Sequence, residues 1–201
     1  MTNSYLKAVP LEKAYRLINH GPTVLVSAQD EHHTDVMAAA WACALEFQPA
    51  KVTIVLDKST KTREIIERSK LFALQVPTLK QLRMVHAVGN MSLHDTPEKL
   101  RQAGVELFYF PNQSIPTVAN CTAWILCELI PEPHNQHTHD LFIGKVIAAY
   151  ADERVFRDGH WHYQEVAAEW KSLHHVAGGH FYTIGDAISI DDIQSTTTKT
   201  E

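Results

Sequence analysis

The chain has 201 residues, 45% of them hydrophobic, and 18 Lys and Arg against 23 Asp and Glu give a net charge of -5. That length suits one domain burying about 70% of its unfolded surface, and the balance, without a basic block or Arg-rich stripe, argues against a nucleic-acid partner. No apolar run approaches the roughly 20 residues of a membrane helix, and MTNSYLKAVP lacks the basic-then-apolar pattern of a secretory leader, so a soluble cytoplasmic protein is expected.

Taken in chain order, Pro10 to His20 predicts a short helix, with Leu11, Ala14, Tyr15 and Ile18 at helical spacing and Gly21-Pro22 as its end. Thr23 to Gln29 predicts a strand, the polar DEHHTD a turn, and Val36 to Phe47 a long second strand completing a hairpin. Val52 to Leu56 is mostly β-branched and predicts a buried strand. It leads into Asp57 to Lys61, rich in hydroxyls and lysine, with Thr62 as the predicted N-cap of a helix over Arg63 to Ser69. Leu71 to Val76 predicts a further strand. Pro77-Thr78 opens a helix that Gly89 is expected to close, and Thr96-Pro97-Glu98 opens another that Gly104 closes before a strand over Val105 to Phe110. Val118 to Ile130 and Asp140 to Tyr150 predict a large hairpin across the His-rich loop Pro131 to His139. The polar stretch 191–201 predicts a disordered tail after a single domain over 1–190.

Strands and helices do not alternate regularly, so a doubly wound sheet is disfavoured. A mainly β fold fits better: an antiparallel, Greek-key type of barrel, closed or split, with inserted helices.

The loop over Asp57 to Thr62 carries the clearest chemistry. A helix start leaves backbone N–H groups unpaired beside a partial positive charge, and Ser59, Thr60 and Thr62 add hydroxyl donors there. Lys61 or Arg63 would add a charge-assisted bond, making an anion cradle. A capped surface helix with solvated lysines is the other reading. There is no GxxxxGKS Walker pattern and no GxGxxG. Cys43, Cys121 and Cys127 form no CxxC and are expected as small buried hydrophobes. Thirteen histidines crowd His134, His137, His139 and again His174, His175, His180. Without an HExxH frame, solvated histidines are expected rather than a metal site. His160 and His162, on either side of Trp161, read as surface.

Five segments, in this order, resemble the flavin reductase family of FMN-binding split barrels over roughly residues 10–185. These are TDVMAAAW (Thr34 to Trp41), the STKTREII loop and helix, ANCTAWILCEL (Ala119 to Leu129), HDLFIGKV (His139 to Val146) and, more weakly, LHHVAGGHFY (Leu173 to Tyr182). Asp35 stands where the family has asparagine, and Lys145 where it has an acid. The resemblance implies an FMN-binding split barrel that works as a homodimer with FMN near the subunit interface. It places Asp35, Met37, Ala38, Ala39, Ala40 and Trp41 along the flavin ring, Ser59, Thr60, Lys61 and Thr62 at its phosphate, and His139 and Gly179 close by. The small side chains of Ala38, Ala39, Ala40 and Ala42 would let a flat ring reach backbone N–H groups, although MAAAWACAL also reads as a packed core strand.

A flavin brings its own hydride chemistry, which agrees with the lack of any Ser-His-Asp or paired-carboxylate arrangement. The expected function is that of an NAD(P)H-dependent flavin reductase passing hydride from NADH or NADPH to FMN, and on to an electron acceptor. A non-catalytic FMN carrier of flavoredoxin type and a flavin-free split barrel are the alternatives. Asp35 favours the last, because a carboxylate is unwelcome beside a phosphate or an electron-rich ring.

Overall fold

The computed structural model of the chain describes residues 8–18 and 21–190. Its strands are β1 (Val24–Gln29), β2 (Thr34–Ala39), β3 (Ala42–Phe47), β4 (Ala50–Val55), β5 (Leu71–Val76), β6 (Leu107–Phe108), β7 (Thr117–Val118), β8 (Ala123–Ile130), β9 (Leu141–Ala151), β10 (Phe156–Arg157), β11 (His160–Trp161), β12 (Leu173–Ala177) and β13 (His180–Thr183). Its α-helices are α1 (Lys61–Ser69), α2 (Leu82–Asn90), α3 (Lys99–Ala103) and α4 (Pro133–His139).

Seven strands make one sheet in the order β2-β1-β5-β8-β9-β4-β3, and every pairing in it is antiparallel. Its two edges, β2 and β3, are separated in sequence only by Ala40 and Trp41. So short a link forces the far edges of the sheet together, and the sheet curls into a barrel split between them.

Period-two alternation sorts the side chains onto the two faces. Val24, Val26 and Ala28 of β1, Phe72 and Leu74 of β5, and Cys127 and Leu129 of β8 point inward onto Ile65 and Ile66 of α1. Leu25 and Val36 point outward and meet Val85 and Val88 of α2. A third cluster joins Ala73, Ile115 and Leu126 to Phe110, whose ring stacks on Tyr150 with centroids 3.7 Å apart.

Several expectations need correcting. Val36 to Phe47 is two strands rather than one, because the chain passes from one edge of the sheet to the other at Ala40 and Trp41; β2 pairs with β1 and β3 with β4. Gly89 lies inside α2. A Cβ there would sit 3.3 Å from the Ala38 Cβ, so this glycine serves close helix-on-strand packing instead of ending the helix. The loop Pro131 to His139 contains α4, started by Pro133. Val118 to Ile130 is divided at Asn120, whose φ of 64° turns the chain between β7 and β8. The first helix is a 3-10 helix, Leu11–Leu17, without buried residues, and α1 starts at Lys61 with Thr60 in the N-cap position. Of the cysteines, Cys121 and Cys127 are buried, but Cys43 is exposed on the edge strand β3. The tail 191–201 lies outside the described residues.

Candidate functional site

Helix α2 packs across β2, and two adjoining pockets open along that line. The larger, about 330 Å³, is bounded by Ala38, Ala39 and Ala40 from the end of β2, by Val85, His86, Gly89 and Asn90 from α2, and by the β12–β13 hairpin. That hairpin turns through Gly178 and Gly179, at φ 58° and 81°, a region that favours glycine. The smaller, about 160 Å³, lies between Asp35 and Met37 of β2, the loop from Ser59 to Thr62, and the segment after α2. Ala38, Gly89 and Asn90 line both. The larger volume alone falls in the range of about 300 to 1,000 Å³ usual for cofactor-sized ligands.

Carboxylates organise the small pocket. Asp57 accepts from the Ser59 N–H at 2.8 Å and the Ser59 hydroxyl at 2.6 Å, and those two bonds hold its pKa below the ordinary range. The Thr60 hydroxyl donates to the Asp57 carbonyl at 2.8 Å. Lys61 Nζ lies 2.7 Å from Glu64 Oε2 and holds that carboxyl low as well. This leaves the first turn of α1, with Lys61 and Lys99, around the concavity, an arrangement suited to an anion.

Asp35 is only 1% exposed. Its Oδ1 accepts from Lys99 Nζ at 2.8 Å, and from the Val36 N–H at 2.8 Å. Its Oδ2 accepts from the Thr62 hydroxyl at 2.6 Å. The carboxylate that argued against an anion here is therefore matched by a buried cation, Lys99, which is 2% exposed.

Arg63, expected as an alternative anion ligand, is turned the other way and binds the Leu56 and Gln136 carbonyls. At the other end of the cleft two imidazoles converge. His175 has its pKa lowered by burial and then by the neighbouring charge of His86, and His86 Nδ1 sits 3.3 Å from the Asn90 amide.

Of the residues singled out by sequence, Ala38, Ala39, Ala40 and Gly179 line the large pocket, while Asp35, Met37, Ser59, Thr60, Lys61 and Thr62 line the small one with Ala38. Trp41 and His139 lie outside both. Trp41 is half-exposed and meets Tyr15 edge-on in a separate apolar groove. His139 is exposed at the end of α4, with its ring 5.8 Å from that of His134. The α2 face carrying His86, Gly89 and Asn90 was not foreseen, nor was Lys99. Among the described residues no group of three or more His, Cys, Asp or Glu is placed to hold a metal ion.

The model of the flavin reductase like domain matches residues 15–171. The Escherichia coli K12 protein YddH is 38% identical over 184 residues, covering 90% of this chain and 96% of its own length. Among solved structures, the FMN-binding domain of a flavin reductases-like enzyme from Shewanella baltica OS155 is 56% identical with a TM-score of 0.84, over 92% of this chain and 97% of that one. The flavoredoxin of Desulfovibrio vulgaris (Miyazaki F) shares the fold, with a TM-score of 0.72 at 21% identity over 94% of this chain and 96% of its own. A split barrel whose sheet, inserted helices and cleft carry this likeness along most of its length belongs to the flavin reductase-like domain family.

Proposed function

We propose that the chain binds FMN along the two adjoining pockets and acts as a cytoplasmic NAD(P)H-dependent flavin reductase. The observation that carries this reading is the pairing of a small polar pocket, with Lys61 and the start of α1 at its wall, to a larger one walled by alanine and glycine. Ser59, Thr60, Lys61 and the α1 N–H groups would hold the phosphate, with Thr62 and Asp35 beneath them; Ala38, Ala39, Ala40, Met37 and Gly179 would hold the ring. A bound flavin supplies the hydride chemistry. The protein's own part is to orient it, exclude water and leave a face open to the nicotinamide.

A homodimer is part of the same proposal. Trp41, Leu45 and Phe47 lie on or beside the edge strand β3 and are exposed at 48%, 50% and 100%. An apolar edge of this kind is normally covered by another chain. Trp41 and His139, which line neither pocket of one chain, would come to the flavin in that assembly.

The test is an absorption spectrum of the purified protein with identification of any released chromophore, then anaerobic mixing with NADH and with NADPH. Bound FMN bleached rapidly by either nucleotide supports a reductase. Bound FMN that neither bleaches identifies a carrier, and failure to bind added FMN removes the flavin reading.

A further inference from the structure

Lys99 and Asp35 form a buried ion pair in the wall of the small pocket, beside Ser59, Thr60 and Lys61. Left alone, a carboxylate in that wall would repel any anion entering the pocket, and the repulsion would be little screened because both groups are out of water. The Lys99 ammonium removes that charge, and it has three N–H donors where Asp35 Oδ1 takes one. The other oxygen of Asp35 fastens the Thr62 hydroxyl, which fixes the first turn of α1 against β2. The Thr62 hydroxyl proton is therefore already donated within the chain.

We propose that Lys99 is a positioning residue for the anion-binding end of the cleft: by neutralising Asp35, it makes the small pocket select flavins ending in a phosphate monoester over flavins without one. This rests on the reading that FMN occupies the cleft. The other charged side chain lining the small pocket is Lys61, paired with Glu64. With Asp35 and Lys99 cancelling each other, the entering phosphate meets Lys61 and the positive end of α1 rather than a bare carboxylate.

The test compares FMN and riboflavin binding by flavin fluorescence quenching in the wild-type protein and in Lys99→Met, Asp35→Asn and the double variant, with thermal melts to confirm folding. Lys99→Met should weaken FMN about 100-fold, through repulsion of the phosphate by a carboxylate left without its cation, and change riboflavin less than about threefold, the size of a lost weak contact. The double variant should return FMN affinity to within about tenfold of wild type, since no charge is then left unpaired. Asp35→Asn, which frees the ammonium, should tighten FMN. Equal losses for both flavins in Lys99→Met, or a folded double variant without recovery, would overturn the proposal. If Lys99→Met does not fold, the Asp35→Asn result decides, and unchanged or weaker FMN binding there rejects it. A wild-type protein that binds no FMN defeats the flavin reading itself, and this inference with it.

Discussion

Arg63 Nη1 donates to Asp140 Oδ1 at 2.5 Å, joining α1 to the residue between α4 and β9. The same guanidinium donates to the Leu56 carbonyl at 3.1 Å, to the Gln136 carbonyl at 2.8 Å and to Glu67 at 3.1 Å, and it lies over the Phe142 ring at 5.1 Å. A cation one residue past Thr62 is thus committed to holding the helix on the barrel. Replacing it with Met should lower stability by about 2 to 4 kcal/mol, the cost of stranding its partners, while FMN affinity stays within about threefold. Urea unfolding beside a flavin titration separates the two, and a large affinity loss in a stable variant would return Arg63 to the binding site.

Lys61 makes the opposite case. Its Nζ reaches only Glu64 among the described side chains, and it lines the small pocket. Lys61→Ala should weaken FMN by about 1.5 to 3 kcal/mol, the range for a hydrogen bond to a charged group, and leave riboflavin unchanged. Equal affinity of mutant and wild type for FMN would move the phosphate elsewhere.

Gly144 of β9 lies beneath Phe72. A Cβ added there would be 2.5 Å from the Phe72 Cζ and 3.0 Å from the Cys127 Cβ. Gly144→Ala should therefore cost about 1 to 3 kcal/mol through overpacking, and Phe72→Leu in the same chain should recover part of it. A melt unaffected by the single change would mean that the strand can shift to make room.

Burial pushes the Cys121 and Cys127 thiols up to about 12, whereas Cys43 is exposed on β3. Since the thiolate is the reacting form, mild alkylation of the native protein at low concentration near neutral pH should modify Cys43 alone, and all three cysteines after denaturation. Peptide mass mapping reads the pattern directly. Protection of Cys43 at high protein concentration would locate a subunit contact on that edge.

His175 is held below its ordinary pKa of 6.5 by burial and by the charge of His86. The folded state thus favours the neutral ring, and its contribution to stability is complete above the unfolded pKa and lost as pH falls through the lowered folded value. Thermal melts should be level from about pH 8 to 7 and decline below about pH 6, where unperturbed imidazoles have charged. His175→Gln should flatten that decline. Asp30 acts in a lower window: burial would raise its pKa, but N–H donors from His32 and His33 and the Arg68 guanidinium outweigh this and hold it down. Its contribution persists above the ordinary carboxyl value of 3.8 and disappears only in stronger acid.

The strands β4 and β5 were legible because β-branched and apolar residues dominate them, and the turn before α1 because a polar, hydroxyl-rich stretch precedes a helix start. Lys99 was not legible. Within TPEKLRQAG it looks like any surface lysine, and its partner lies 64 residues earlier. The break at Ala40 and Trp41 was equally hidden, since apolar continuity says nothing about which edge of a sheet a strand joins. Gly89 was read by the commonest meaning of glycine near a helix end, whereas its reason is a strand packed against it.

Where Ala38 meets Gly89, the wall that the two pockets share is drawn close by atoms that are missing. Neither residue carries more than a methyl group, and a Cβ on Gly89 would already sit 3.3 Å from the Ala38 Cβ. A bulkier residue at either position would push α2 away from β2 and change the shape of both pockets at once. On the proposed FMN reading, a molecule with a flat part in one and an anion in the other would then no longer lie across them.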